Sequence, residues 1–211
     1  KKNVSCDAQL NMKRGAMHIL MSLLLTTTAA AEGAEYQGMV SVSDHVTLTD
    51  HVDFGGQVNL SWKPQYDPVH VYYVGPSFQP TGWWWTSPRT GMVFNWEEMD
   101  GAAPVASWWN RFSPHGGHVS LSTQTEVYLQ REHSPEYFGL YMVDYHLAFL
   151  AAGLQAEQIN GEFAAGFHLG AHLGILGIVG ECYWNQAGEF AVHTVLEVDF
   201  AAPRSTPSHG S

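Results

Sequence analysis

The sequence predicts an all-β chain, an antiparallel transmembrane β-barrel of about 8–10 strands, on three observations. From Phe163 to Ile175 the residues alternate strictly: Phe163, Ala165, Phe167, Leu169, Ala171, Leu173 and Ile175 fall on one face, and Ala164, Gly166, His168, Gly170, His172 and Gly174 on the other. A period of two is the mark of a strand. One face is apolar enough for lipid while the other is nearly bare and carries two imidazoles, as expected of a membrane-crossing strand around a narrow interior. The alternation returns near the C-terminus, where Phe190, Val192, Thr194, Leu196, Val198 and Phe200 oppose Glu189, Ala191, His193, Val195, Glu197 and Asp199. The third observation is aromatic content: eight Trp, nine Tyr and ten Phe in 211 residues exceed what one core requires. Trp and Tyr favour the bilayer interface, where an apolar ring sits beside a wet polar edge.

In chain order, Met12 to His18 supplies a basic start, Ile19 to Thr28 an apolar stretch of signal-peptide length, and Ala29 to Ala31 the small residues at which a signal peptidase cuts. The expected organisation is a leader and signal peptide over 1–31, one barrel domain over 32–200 and a tail over 201–211. The apolar stretch is too short to span a bilayer as a helix, and Cys6 lies upstream of Met12, which argues against a lipoprotein anchor. Loss of 1–31 leaves five basic and nineteen acidic residues, a net charge of −14. Such a field repels phosphate-rich partners and gathers cations, so no nucleic-acid partner is expected. Cys182 is then the sole cysteine, next to Tyr183 and Trp184, and reads as a small packed hydrophobe.

Gly38 to Thr49 predicts a first strand, and Phe54 to Trp62 a second with Gly56, Val58, Leu60 and Trp62 on one face. Val69 to Phe78 gives a third, beyond a turn bracketed by Pro64 and Pro68. Met92, Phe94 and Trp96 mark a fourth, and Val119 to Leu129 a long fifth whose opposite face is Ser120, Ser122, Gln124, Glu126 and Tyr128. Tyr137 to Leu150 is a further extended run, followed by Leu154 to Ile159 and the hairpin pair Asn160-Gly161. The stretch from Gly161 to Trp184 is too long for one crossing and predicts a bend at Gly174, Gly177 or Gly180; six glycines argue against a helix there. Trp62, Tyr72 and Trp96 lie near strand ends, as interfacial residues should. Trp83, Trp84, Trp85, Trp108 and Trp109 are expected in loops, because consecutive Trp cannot share a strand face.

The alternating strand that ends in Phe200, together with the signal peptide, resembles small bacterial outer-membrane β-barrel proteins as a class. That resemblance implies the outer membrane of a Gram-negative bacterium, with outer-membrane lipid and the barrel-assembly machinery as partners, and allows an oligomer. The function expected is a porin-like or structural barrel that passes small cations or solutes. The alternative is a secreted β-sandwich that binds glycans through the Trp-rich loops, and a third is a barrel-embedded lipid-modifying enzyme using His118 with Ser120 or Ser122.

Lumen-facing candidates are His168, His172, His193, Glu189, Glu197, Asp199 and Asp144. On a strand at about 3.3 Å per residue, His168 and His172 stand roughly 13 Å apart and do not chelate together. Each is expected to pair with a group on a neighbouring strand, such as His193 or Glu197. Neither Pro114 to His118 nor the Asp44, His45, Asp50, His51 and Asp53 cluster has zinc spacing, so no metal and no cofactor is expected. No nucleophile elbow, phosphate loop, dinucleotide fingerprint or His-Glu-x-x-His motif occurs, so no enzyme activity is expected.

Overall fold

The computed structural model describes residues 35–63, 68–95, 102–114, 117–129 and 134–200. The expected signal peptide, the tail after Phe200, Trp96 and His115 lie outside the described residues. Eleven strands follow one another: β1 (Glu35–Thr49), β2 (Val52–Trp62), β3 (Val69–Thr81), β4 (Trp84–Asn95), β5 (Ala103–Phe112), β6 (Val119–Tyr128), β7 (Glu136–Leu147), β8 (Leu150–Ile159), β9 (Glu162–Leu173), β10 (Leu176–Asn185) and β11 (Phe190–Asp199). Each pairs antiparallel with the next, and β1 closes on β11 in parallel from Glu35↔Ala191 to Ser43↔Asp199. An odd number of up-and-down strands requires one parallel pair. Closure removes the exposed edges that an open sheet presents, and it replaces the two-sheet sandwich held as the alternative.

The extra strands over the expected eight to ten come from segments that lack uninterrupted alternation. The region of Trp83 to Trp85 and Trp108-Trp109 is not loop but β4 and β5, with only Trp83 left in a turn. Consecutive Trp residues fit a strand by pointing opposite ways: Trp84 and Trp108 face outward, whereas Trp85 and Trp109 face inward. The run from Tyr137 to Leu150 is interrupted at Ala148, where φ is 55°, so β7 ends and β8 begins. Gly174 (φ 65°) makes the bend expected after His172, and Asn160-Gly161 (φ 50° and 95°) makes the two-residue hairpin between β8 and β9.

Register and exposure together assign the faces. The outer wall carries exposed apolar side chains on every strand, among them Val46, Phe54, Tyr72, Phe94, Trp108, Leu121, Val143, Leu154, Phe167, Leu176 and Leu196. Among the described residues, Asp44 is the only strand Asp, Glu, Lys or Arg that faces outward. Ten carboxylates and two guanidiniums, those of Arg89 and Arg111, face the interior. With the β1–β2 turn taken as the upper rim, Phe54, Phe78, Trp84, Phe112 and Tyr145 ring the upper end. Tyr36, Trp62, Phe94, Tyr137, Phe163, Trp184 and Phe190 ring the lower end. Trp84 and Phe94 mark both rings on one strand, ten residues apart; at about 3.3 Å per residue and about 40° of tilt the rings are roughly 25 Å apart.

Polar groups on the outer wall pair with one another. Trp108 Nε1 donates to Thr86 Oγ1 at 2.8 Å, Trp84 Nε1 to Asn110 Oδ1 at 3.5 Å, and Asn110 Nδ2 to Thr123 Oγ1 at 3.4 Å. The polarity of an ordinary globule is thereby reversed, with the apolar face outside and the hydrogen-bonding groups within.

Candidate functional site

The interior concentrates the chemistry, and two networks build it. In the first, across β1 to β6, Arg89 Nη1 donates to Gln57 Oε1 at 2.8 Å and Arg89 Nε to Ser87 Oγ at 3.0 Å, while its guanidinium carbon sits 4.2 Å above the Trp109 ring. Gln57 Nε2 donates in turn to Ser41 Oγ and Asn59 Oδ1, both at 2.9 Å. Glu126, 2% exposed, accepts from Ser107 Oγ at 3.1 Å, from Gln124 Nε2 at 2.8 Å and from the Tyr128 hydroxyl. Burying a carboxylate is expensive unless donors surround it, and three strand neighbours supply them here.

The second network spans β6 to β11 and uses a repeated device. Asp144, Gly153 and His168 stand in register on β7, β8 and β9, and His168 Nε2 reaches over the glycine to Asp144 Oδ1 at 2.5 Å. A Cβ at Gly153 would lie 2.7 Å from His168 Cε1, so only glycine lets the imidazole cross. The same arrangement recurs with His172, Gly177 and Glu197 on β9, β10 and β11: His172 Nδ1 is 3.5 Å from Glu197 Oε2, and a Gly177 Cβ would meet both. His193 pairs with Glu181 on the adjacent strand, Nδ1 to Oε2 3.6 Å.

Asp144, His168, His172, His193, Glu197 and Asp199 thus face inward by register, whereas Glu189 stands in the β10–β11 turn and accepts from Asn185 Nδ2 at 2.7 Å. His168 takes Asp144 rather than His193 or Glu197; His172 takes Glu197. No motif in the sequence points to Arg89, Gln57, Gln155, His146 or Glu181. Strand alternation places Glu181 on the face of Tyr183, but Arg89 lies in a segment where the sequence predicts a loop.

The five tryptophans do not form one stacking surface. Trp84 and Trp108 are on the outer wall, Trp85 and Trp109 inside, and Trp83 in the β3–β4 turn. Ser120 Oγ lies 2.8 Å from His146 Nε2 and donates to Asp144 Oδ2 at 3.3 Å, a serine and histidine pair in contact. Ser120 is fully buried, however, which denies it a substrate; His118 points its Nδ1 at the His146 carbonyl instead, at 3.2 Å.

Between the rims the interior is filled. Tyr73, Glu126, Gln155, His168, Tyr183 and Val195, spread over six strands, are each 5% exposed or less. Solvent meets the network near the upper rim, where Arg111 is exposed and the His172 and Glu197 side chains are about half and two-fifths exposed. Fold and interior together define the class: a closed β-barrel with an apolar exterior and a packed, acidic, hydrogen-bonded interior. Comparison with protein-family models, with curated proteins and with solved structures finds no match for this chain.

Proposed function

We propose that the chain is an integral barrel of a Gram-negative outer membrane, structural rather than an open porin, which the barrel-assembly machinery inserts and outer-membrane lipid surrounds. The outer wall carries this reading: apolar side chains on every strand, a single charged residue, and two aromatic rings roughly 25 Å apart, the height of the apolar band of such barrels. In water such a surface would be an association liability far beyond the apolar patches of soluble monomers. Eleven strands depart from the even counts usual in bacterial barrels, and the parallel β1–β11 pair accommodates the departure. The filled interior favours a structural barrel over a porin, since a solute would have to displace the Arg89 and Glu126 network. Its ten carboxylates against two guanidiniums make it hostile to anions.

Membrane fractionation and vesicle flotation test the reading. The expected result is release only by detergent, flotation with lipid, and no single-channel steps in planar bilayers bathed in potassium chloride. Recovery as a soluble monomer without detergent overturns the membrane assignment, and stable ion conductance overturns the closed interior.

A further inference from the structure

One register line through the second network joins the two rims. Ser120 on β6, Asp144 on β7, Gly153 on β8, His168 on β9, Glu181 on β10 and His193 on β11 are successive cross-strand partners, all facing inward. Because barrel strands tilt, a line drawn across them descends. It starts beside the upper rim, at the second residue of β6, and ends near the lower one, at the fourth residue of β11.

The links are short at the upper end and looser at the lower. His146 Nε2 lies 2.8 Å from Ser120 Oγ, Ser120 donates to Asp144 Oδ2 at 3.3 Å, and Asp144 Oδ1 lies 2.5 Å from His168 Nε2. Lower down, His193 Nδ1 is 3.6 Å from Glu181 Oε2, which also accepts from the Tyr183 hydroxyl at 3.2 Å. In between, His168 Nδ1 is buried without a hydrogen-bond partner among the described residues, and the buried amide of Gln155, on the adjacent strand and the same face, has the Tyr183 hydroxyl as a polar neighbour. An orphaned imidazole nitrogen is costly to leave dry, at about 1–3 kcal/mol. The relay proposed below requires a water here, which would meet His168 Nδ1 and bridge it to Glu181, its neighbour across β9 and β10.

We propose that this line carries protons through a barrel closed to other ions, a role that rests on the membrane reading above. The step conserves atoms and charge. The imidazole of His168 receives a proton at one ring nitrogen and releases another from the opposite nitrogen, to the Asp144 carboxylate in one direction or through water to the Glu181 carboxylate in the other; rotation of the ring then restores the starting tautomer without returning the proton. Chains of Asp, Glu and His in a membrane interior are the usual material of proton relays. The other ionisable groups around the line are Arg111, whose Nη2 is 3.1 Å from His146 Nε2, Glu157 on β8, and the His172–Glu197 pair on β9 and β11.

The test uses the full chain reconstituted in vesicles that enclose a pH-sensitive dye, with a potassium gradient and valinomycin to drive protons. The expected result is acidification faster than in protein-free vesicles, falling to the protein-free rate in His168→Leu and in Glu181→Gln, and kept in His70→Leu, whose position on β3 faces outward. Flotation and heat-dependent gel migration select folded variants, and two blocking substitutions on opposite sides of the gap keep the test open if one fails to fold. A floated parent no faster than protein-free vesicles overturns the relay, as does undiminished flux in a folded His168→Leu or Glu181→Gln. Potassium crossing without valinomycin overturns the closed interior instead, and a parent that does not float overturns the membrane reading on which the relay depends.

Discussion

Phe167→Arg puts the membrane assignment to a quantitative test. Phe167 is the sixth of twelve residues in β9, faces outward between Leu154 and Cys182 on the flanking strands, and is 48% exposed on the outer wall. That places it midway between the aromatic rings, where a guanidinium on the lipid side of a barrel costs about 2–4 kcal/mol. The Phe167 ring also lies 5.9 Å from that of Trp184, a contact the substitution removes. At 1.4 kcal/mol per tenfold change the electrostatic cost alone is about 30- to 700-fold in the folding equilibrium. Phe163→Arg is the control: its side chain shares the face but is the second residue of β9, at the lower ring, where the same charge costs about 0–1 kcal/mol because it reaches water. The assay is guanidinium unfolding of the protein in vesicles, followed by tryptophan fluorescence. Equal costs at 163 and 167 would show that β9 does not cross a bilayer, whatever the apolarity of its outer face.

Two further outcomes follow from the outer wall and from the last strand. Cys182 faces outward beside Phe167 and is partly covered, so in a Cys6→Ser background a charged maleimide is expected to label it far more slowly in vesicles than after denaturation, while an apolar maleimide reaches it in both; equal labelling by the charged reagent would place Cys182 in water. Phe200 N donates to Ser43 O at 3.0 Å, continuing the β1–β11 seam, and Phe200→Ala is expected to reduce outer-membrane insertion far more than deletion of 201–211. Normal insertion of Phe200→Ala, with loss on deletion of the tail, would refute an assembly role for that aromatic.

What the sequence reveals follows from which residues occupy the strands. β9 and β11 are legible because Phe, Leu and Val alternate with Gly, His and Glu, so a period of two appears in residue type alone. β5 is illegible for the opposite reason: Trp108 and Trp109 are both large and aromatic, yet one lies exposed on the outer wall and the other beneath Arg89 inside. Hydropathy cannot separate two faces that use the same residue. The inward direction of His168 was readable from β9 by itself, but its partner was not, since the glycine that lets it reach Asp144 sits on a third strand. Glycines at 153 and 177 look like weak points of strands in the sequence and act as gaps that side chains cross in the fold. Arg89 shows the same limit, because its value to the interior depends on Gln57, thirty-two positions away, and on Trp109.

The odd strand number has a consequence for sidedness. In an even barrel of hairpins both chain ends emerge at the same rim, so one compartment holds them both. Here Glu35 begins β1 at the lower rim and Phe200 follows β11 at the upper one, so the membrane reading proposed above would put the two ends in opposite compartments. Protease protection or epitope accessibility at positions 35 and 200 should therefore always disagree, and that disagreement, read from outside an intact cell, gives the orientation of the whole barrel in a single measurement.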